Sequence, residues 1–231
     1  MPIPTVNGTI ATASTSAAAA SLTYSHTVNT GLTDPFLIVT VFDETTALPT
    51  GVTYATVAMT LLKDGKTGAV AIGTSIFGLA NPTTGANNVV VSYAANHHIG
   101  STAITLVDAS ATGQPDATAQ GNKSPATTSH TVNIVTVANN CIVIDVCGTD
   151  TAAVNDHTPG VNETERSDFD QTSATQNRGS TDTEAAVTAG TFTMSRSFDS
   201  SSNSDSAVVS IKGTVVVAGG APNMMMMGVG G

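Results

Sequence analysis

The chain has 231 residues, with 7 Lys and Arg against 17 Asp and Glu, and a formal net charge of -10 at pH 7. That balance argues against nucleic acid, whose phosphates call for a basic groove, and against docking on anionic membranes. Hydrophobic residues make up 40%, enough for a core, while charged residues are only 10%, aromatics 4% and Trp absent, so the polar part is Ser, Thr, Asn and Gly.

Residues 1–20 are rich in Thr, Ala and Ser and lack the apolar mass to fold alone. They read as an extended tail with Val6 and Ile10 as its apolar points. The start, Met1-Pro2-Ile3-Pro4, shows neither the basic nor the apolar region of a signal peptide, and no window reaches the apolar length of a transmembrane helix. From Ser21, the residues Leu22, Tyr24, His26 and Val28 alternate with Thr23, Ser25 and Thr27, the period of a half-buried strand. Asp34-Pro35 leads into an apolar strand, Phe36 to Phe42, ending at Asp43. A turn region to Gly51 precedes Val52-Thr53-Tyr54, with Val57, Met59 and Leu61 continuing the alternation. Lys63-Asp64-Gly65-Lys66 suits a tight hairpin turn. Strands are expected at about 69–80, 87–94 and 101–108, separated by Asn81-Pro82 and Asn96-His97-His98. Residues 109–127, rich in Ala, Thr, Gly, Gln and Pro, read as a long surface connection.

Ser25-His26-Thr27-Val28-Asn29 returns as Ser129-His130-Thr131-Val132-Asn133, and each copy is followed by a spacer and an apolar strand, the second being Cys141 to Cys147. The recurrence suggests one two-layered β domain. Cys141 and Cys147 lie six residues apart on one extended strand, about 20 Å, far beyond the roughly 7 Å that a disulfide can bridge. Two buried thiols are the expectation, with an intermolecular bridge as the alternative. Residues 148–185 are polar and acidic and read as loops with one strand near Thr164 to Phe169. Phe192, Met194 and Phe198 mark a strand at 190–199, Ser206 to Ile211 another, and Thr214-Val215-Val216-Val217 continues it. Helical periodicity is absent. The expected fold is all-β: an antiparallel, jelly-roll-like β-sandwich over 21–213, with an N-terminal tail at 1–20 and a C-terminal strand and tail at 214–231.

No nucleophile elbow, phosphate loop or zinc motif is present, so the chain does not read as an enzyme. Asp145, Asp150, Asp156, Glu163, Glu165, Asp168, Asp170, Asp182 and Glu184 carry oxygens suited to a structural Ca²⁺. They lack an Asp-x-Asp-x-Asp-Gly loop, so a solvated acidic surface and no cofactor are expected. His26 and His130 alternate with apolar positions and read as packed strand residues, while neighbouring His97 and His98 would point oppositely. Asn7, Asn122 and Asn162 head glycosylation sequons, placed in tails or loops.

The order of motifs resembles a β-sandwich family of phage and environmental bacterial proteins, mostly without assigned function. The likeness is carried by Ser25-His26-Thr27-Val28, Gly51-Val52-Thr53-Tyr54, Val57-Ala58-Met59-Thr60, and Ile76-Phe77-Gly78-Leu79 before Pro82 and Gly85. It continues through Asn88-Val89-Val90-Val91, Glu165-Arg166 and Gly190-Thr191-Phe192-Thr193-Met194-Ser195, and spans about Ser21 to Lys212. Members often carry Trp where this chain has Ser167 and Ser204-Asp205-Ser206. Architecture and resemblance together lead to the expectation of an extracellular or virion-associated structural subunit. Its partners would be copies of itself, linked by β-strand addition of a terminal segment. Thr5–Thr15, anchored by Val6 and Ile10, is the first candidate donor, and Val215, Val216 and Val217 the second. The alternative is a surface adhesion module that binds glycans.

Overall fold

A computed structural model describes residues 1–66, 70–150, 156–170 and 177–215. Among them fifteen strands follow in order: β1 (Thr5–Ser14), β2 (Ala19–Val28), β3 (Phe36–Asp43), β4 (Gly51–Tyr54), β5 (Val57–Ala58), β6 (Thr60–Asp64), β7 (Gly73–Ala80) and β8 (Gly85–His97). Then come β9 (Ile99–Val107), β10 (Ala117–Thr136), β11 (Cys141–Asp150), β12 (His157–Pro159), β13 (Thr164–Asp170), β14 (Asn177–Ala186) and β15 (Gly190–Lys212). The all-β, antiparallel sandwich is what the sequence patterning implies.

The strands form three sheets: β1-β9-β3-β7-β6, β2-β8-β4-β5, and β10-β15-β11-β14-β13 with β12 against β15. The first sheet lies between the other two, which corrects the two-layered expectation. One face of β3 (Leu37, Val39, Val41) packs with Leu22, Tyr54, Val89 and Val91 of the second sheet. Its other face (Phe36, Ile38) packs with Ile142, Ile144, Val209 and Ile211 of the third. Every residue of β3 is buried. A strand covered on both faces reads as a continuous apolar run instead of an alternating one.

The third sheet folds over itself. In β10, residues 117–123 pair with 204–210 of β15, and 127–136 pair with 190–202, with register shifts between Lys123 and Ser129. The far half of this hairpin returns across the sheet. A side chain at Gly121 would meet Val132 Cγ2 at 2.7 Å, and Val132, Ile134 and Met194 pack on Val143, Ala186 and Val208. Residues 117–127 are therefore strand rather than surface connection, and 190–199 and 206–211 belong to one strand. The polar run Asp199 to Asp205 disguises that continuity, because Ser202, Ser204 and Asp205 are buried within the layers.

The N-terminal stretch is no free tail. Residues 5–14 pair with β9 of the same chain, from Thr5↔Val107 to Ser14↔Gly100, and close one edge of the middle sheet. At the other end Ala109 bridges Gly213, Thr214 N donates to Asp108 O at 2.9 Å, and Val215 is exposed. Val216 and Val217 lie outside the described residues. Asp64-Gly65 is not a two-residue turn either. Asp64 pairs with Ser75, so β6 and β7 are not joined at that dipeptide.

Candidate functional site

Two features stand out: the edge made by β1, and charged groups buried between layers.

β1 is lightly buried for a strand in a middle layer. Its residues are either exposed or half-buried, and none is fully buried. Val6 and Ile10 rest on the core between the first and third sheets, while Ala11 and Ala13 rest on the core between the first and second. The small alanines allow the close approach that a covering strand needs. β1 thus caps both cores at one edge, and the two proposed anchors do face apolar clusters, in their own chain. Beside it, Ile3, Val6, Ile142, Asn162, Arg166 and Glu184 help line a cleft of about 280 Å³.

The acidic residues do not form a solvated surface throughout. Asp145 on β11 and Asp182 on β14 are register partners, and both are 1% exposed. Arg196, on the returning half of β15, reaches down between them, bonding Asp145 and standing 3.0 Å from Asp182 Oδ2. Ser206 Oγ donates to Asp145 Oδ1 at 2.6 Å. Arg196 also bonds Ser180 Oγ, which lies 2.9 Å from His157 Nδ1. His157 Nε2 meets Thr149 Oγ1 at 3.0 Å, and its ring packs on Phe198 with centroids 4.8 Å apart. One guanidinium faces two carboxylates in a buried site, so burial pushes Asp182 up to about 7 against the pull of Arg196. Burial, then the charges of Arg196 and Arg178, hold His157 well below its ordinary range. The cluster ties the folded-over hairpin to the sheet beneath. Nearby, Arg178 pairs with Asp156 at 2.7 Å and Asp168 at 3.0 Å, and Glu163 Oε1 accepts from Ser195 N at 2.7 Å.

Hydroxyl pairs join the layers elsewhere. Thr40 meets Thr181 at 2.8 Å, Thr102 meets Ser167 at 2.7 Å, and Tyr24 meets Ser101 at 2.8 Å. The repeated histidines are buried strand residues, as their alternation implies. His26 Nε2 lies 2.8 Å from Thr105 Oγ1, and His130 Nδ1 lies 2.6 Å from Ser204 Oγ. Desolvation lowers both to about 4. His97 stacks edge-on against Tyr93, and His98 N donates to Glu44 Oε1 at 3.2 Å. Cys141 and Cys147 are free and buried, and burial raises the first thiol to about 12.

Among the described residues no group of His, Cys, Asp and Glu is placed to hold a metal. Of the sequon asparagines, Asn162 sits exposed in a turn. Asn7 and Asn122 instead lie half-buried on β1 and β10, which corrects their placement in tails or loops. Asn7 Oδ1 already accepts from Asn29 Nδ2 at 3.1 Å.

No protein-family model, curated protein or solved structure matches this chain.

Proposed function

We propose that the chain is a structural subunit that assembles into an extracellular or virion-associated filament, each copy lending its β1 to the middle sheet of the next. The observation that carries this reading is the position of β1. It lies at a sheet edge, and it covers two apolar cores with only half-buried residues. Thr15 still bonds Ile99 through its N–H and its hydroxyl, both at 2.9 Å, and residues 16–18 lead on to β2, so exchange would release residues 5–15 together while β2 and the later strands stay paired. A vacated β9 would expose an unpaired ladder and the apolar clusters behind it, and such an edge readily accepts another strand. A neighbour's β1 would restore the same register, and repeated head-to-tail exchange gives an open filament in place of a closed ring.

The test is a disulfide between register partners, Val6→Cys with Leu106→Cys, which face one another across the β1–β9 pair. Directly opposed Cα atoms in such a pair are about 4.5–5.5 Å apart, within disulfide range. Exchange predicts a ladder of covalent multimers on a non-reducing denaturing gel, collapsing on reduction. Quantitative closure within single chains, at concentrations where wild-type protein would assemble, would count against it.

A further inference from the structure

At the end of β3, Asp43 is 1% exposed and occupies a constructed niche. Its Oδ1 accepts from Thr45 N at 2.8 Å and from Thr45 Oγ1 at 2.9 Å. Tyr93 Oη donates to its Oδ2. The Lys66 side chain, just beyond β6, is only 8% exposed and brings Nζ to 3.7 Å from that same oxygen. This is too long for a hydrogen bond, and the buried amine has no hydrogen-bond partner. The lysine reaches Asp43 by crossing β7 at Gly73, which is the register partner of Asp43. A Cβ at that glycine would lie 2.5 Å from Lys66 Cε and 2.8 Å from Nζ. Glycine there leaves the passage open. Asp205 faces the same region. Its Oδ2 accepts from Thr74 N and Oγ1 at 3.1 and 2.7 Å, and its Oδ1 is buried without a partner.

We infer that Lys66 and Asp43 are the two halves of an autocatalytic amide cross-link, formed inside the folded protein between Nζ and Cγ. The Lys66 nitrogen lone pair attacks Asp43 Cγ. The oxyanion that forms on Oδ1 lies against the Thr45 N–H and O–H, donors placed where negative charge develops. The C–Oδ2 bond then breaks, and Oδ2 leaves as water. One proton leaves the amine and one reaches the departing hydroxyl. The unpartnered Asp205 oxygen relays it, with the Tyr93 hydroxyl steadying Oδ2. The balance is amine plus carboxylic acid giving amide plus water, so no oxidant or cofactor is required.

The environment favours the reactive protonation states. Desolvation raises Asp43 towards its neutral acid, against the pull of Lys66 and its hydrogen bonds. Desolvation likewise lowers Lys66 towards the free amine, against Asp43, Asp205 and Asp64. Held together out of water, the pair gains the effective concentration that lets a slow condensation proceed. The product strap would join the ends of β3 and β6 across β7, pinning three neighbouring strands of the middle sheet. The inference does not depend on strand exchange.

Mass spectrometry of the intact, denatured full-length protein tests it. The wild type should weigh one water less than its sequence, and a tryptic digest should contain a branched peptide joining the Asp43 and Lys66 segments. Lys66→Arg should weigh its full sequence mass and yield those segments separately, and Asp205→Asn should lower the cross-linked fraction several-fold. Wild-type protein at full sequence mass, with both segments recovered unlinked, would overturn the proposal whether or not the variants fold.

Discussion

Arg196→Met is the most informative single change. It removes the guanidinium that Asp145 and Asp182 share and leaves both carboxylates 1% exposed with no cation between them. Removing one partner of a buried ion pair costs about 3–5 kcal/mol, because the remaining charge is stranded. A domain is stable by only about 5–15 kcal/mol in total, so the variant should sit near the edge of folding. With a urea slope of about 2 kcal/mol per molar, a loss of about 4 kcal/mol moves the midpoint down by roughly 2 M. The assay is urea unfolding followed by circular dichroism at pH 7. The combined Arg196→Met, Asp145→Asn and Asp182→Asn variant should recover most of the loss, since no charge is then stranded. A single-variant loss below about 1 kcal/mol would refute the view that this pair binds the folded-over hairpin to the sheet.

Titration supplies a second prediction. Asp182 is raised to about 7 from about 3.9 in an unfolded chain. Its favourable contribution is therefore complete below about pH 4 and lost as pH rises to about 7. Relative to Asp182→Asn, wild-type stability should fall across that window in urea melts. His26 has the opposite sign. It is lowered to about 4 from about 6.5, so wild-type protein should lose stability relative to His26→Gln as pH drops from about 6.5 to 4. Thr40→Val should cost about 1–3 kcal/mol by orphaning the Thr181 hydroxyl, whereas the double change with Thr181→Val should be nearly neutral in the same melts. Ile144→Ala, in the core between the first and third sheets, should cost about 2–5 kcal/mol in calorimetry or urea melts.

Much of this fold can be read from period-two patterning. The turn between Val28 and Phe36, the apolar strands β3 and β11, and the buried His26 and His130 follow from alternation and its interruption. The third layer was legible in principle, since β3 has no polar face at all. The buried charges also left a trace. Phe192, Met194, Arg196 and Phe198 share one face of β15, and Val143, Asp145 and Cys147 share one face of β11. An arginine and an aspartate in two apolar series point to a buried partnership rather than to solvated charge. What patterning cannot supply is pairing over distance. Nothing within residues 5–14 says that they lie beside β9, some ninety residues on. Nor does Lys66 announce Asp43, because their meeting depends on a glycine in a third strand.

Electron microscopy of purified full-length protein is the direct test of the proposed assembly through β1. Beside it should stand Ile10→Asp, which puts a charge on the anchor facing the core between the first and third sheets. Filaments are expected for the wild type, and their loss in the variant. Single particles of the wild type at high concentration, or filaments undiminished in Ile10→Asp, would contradict it.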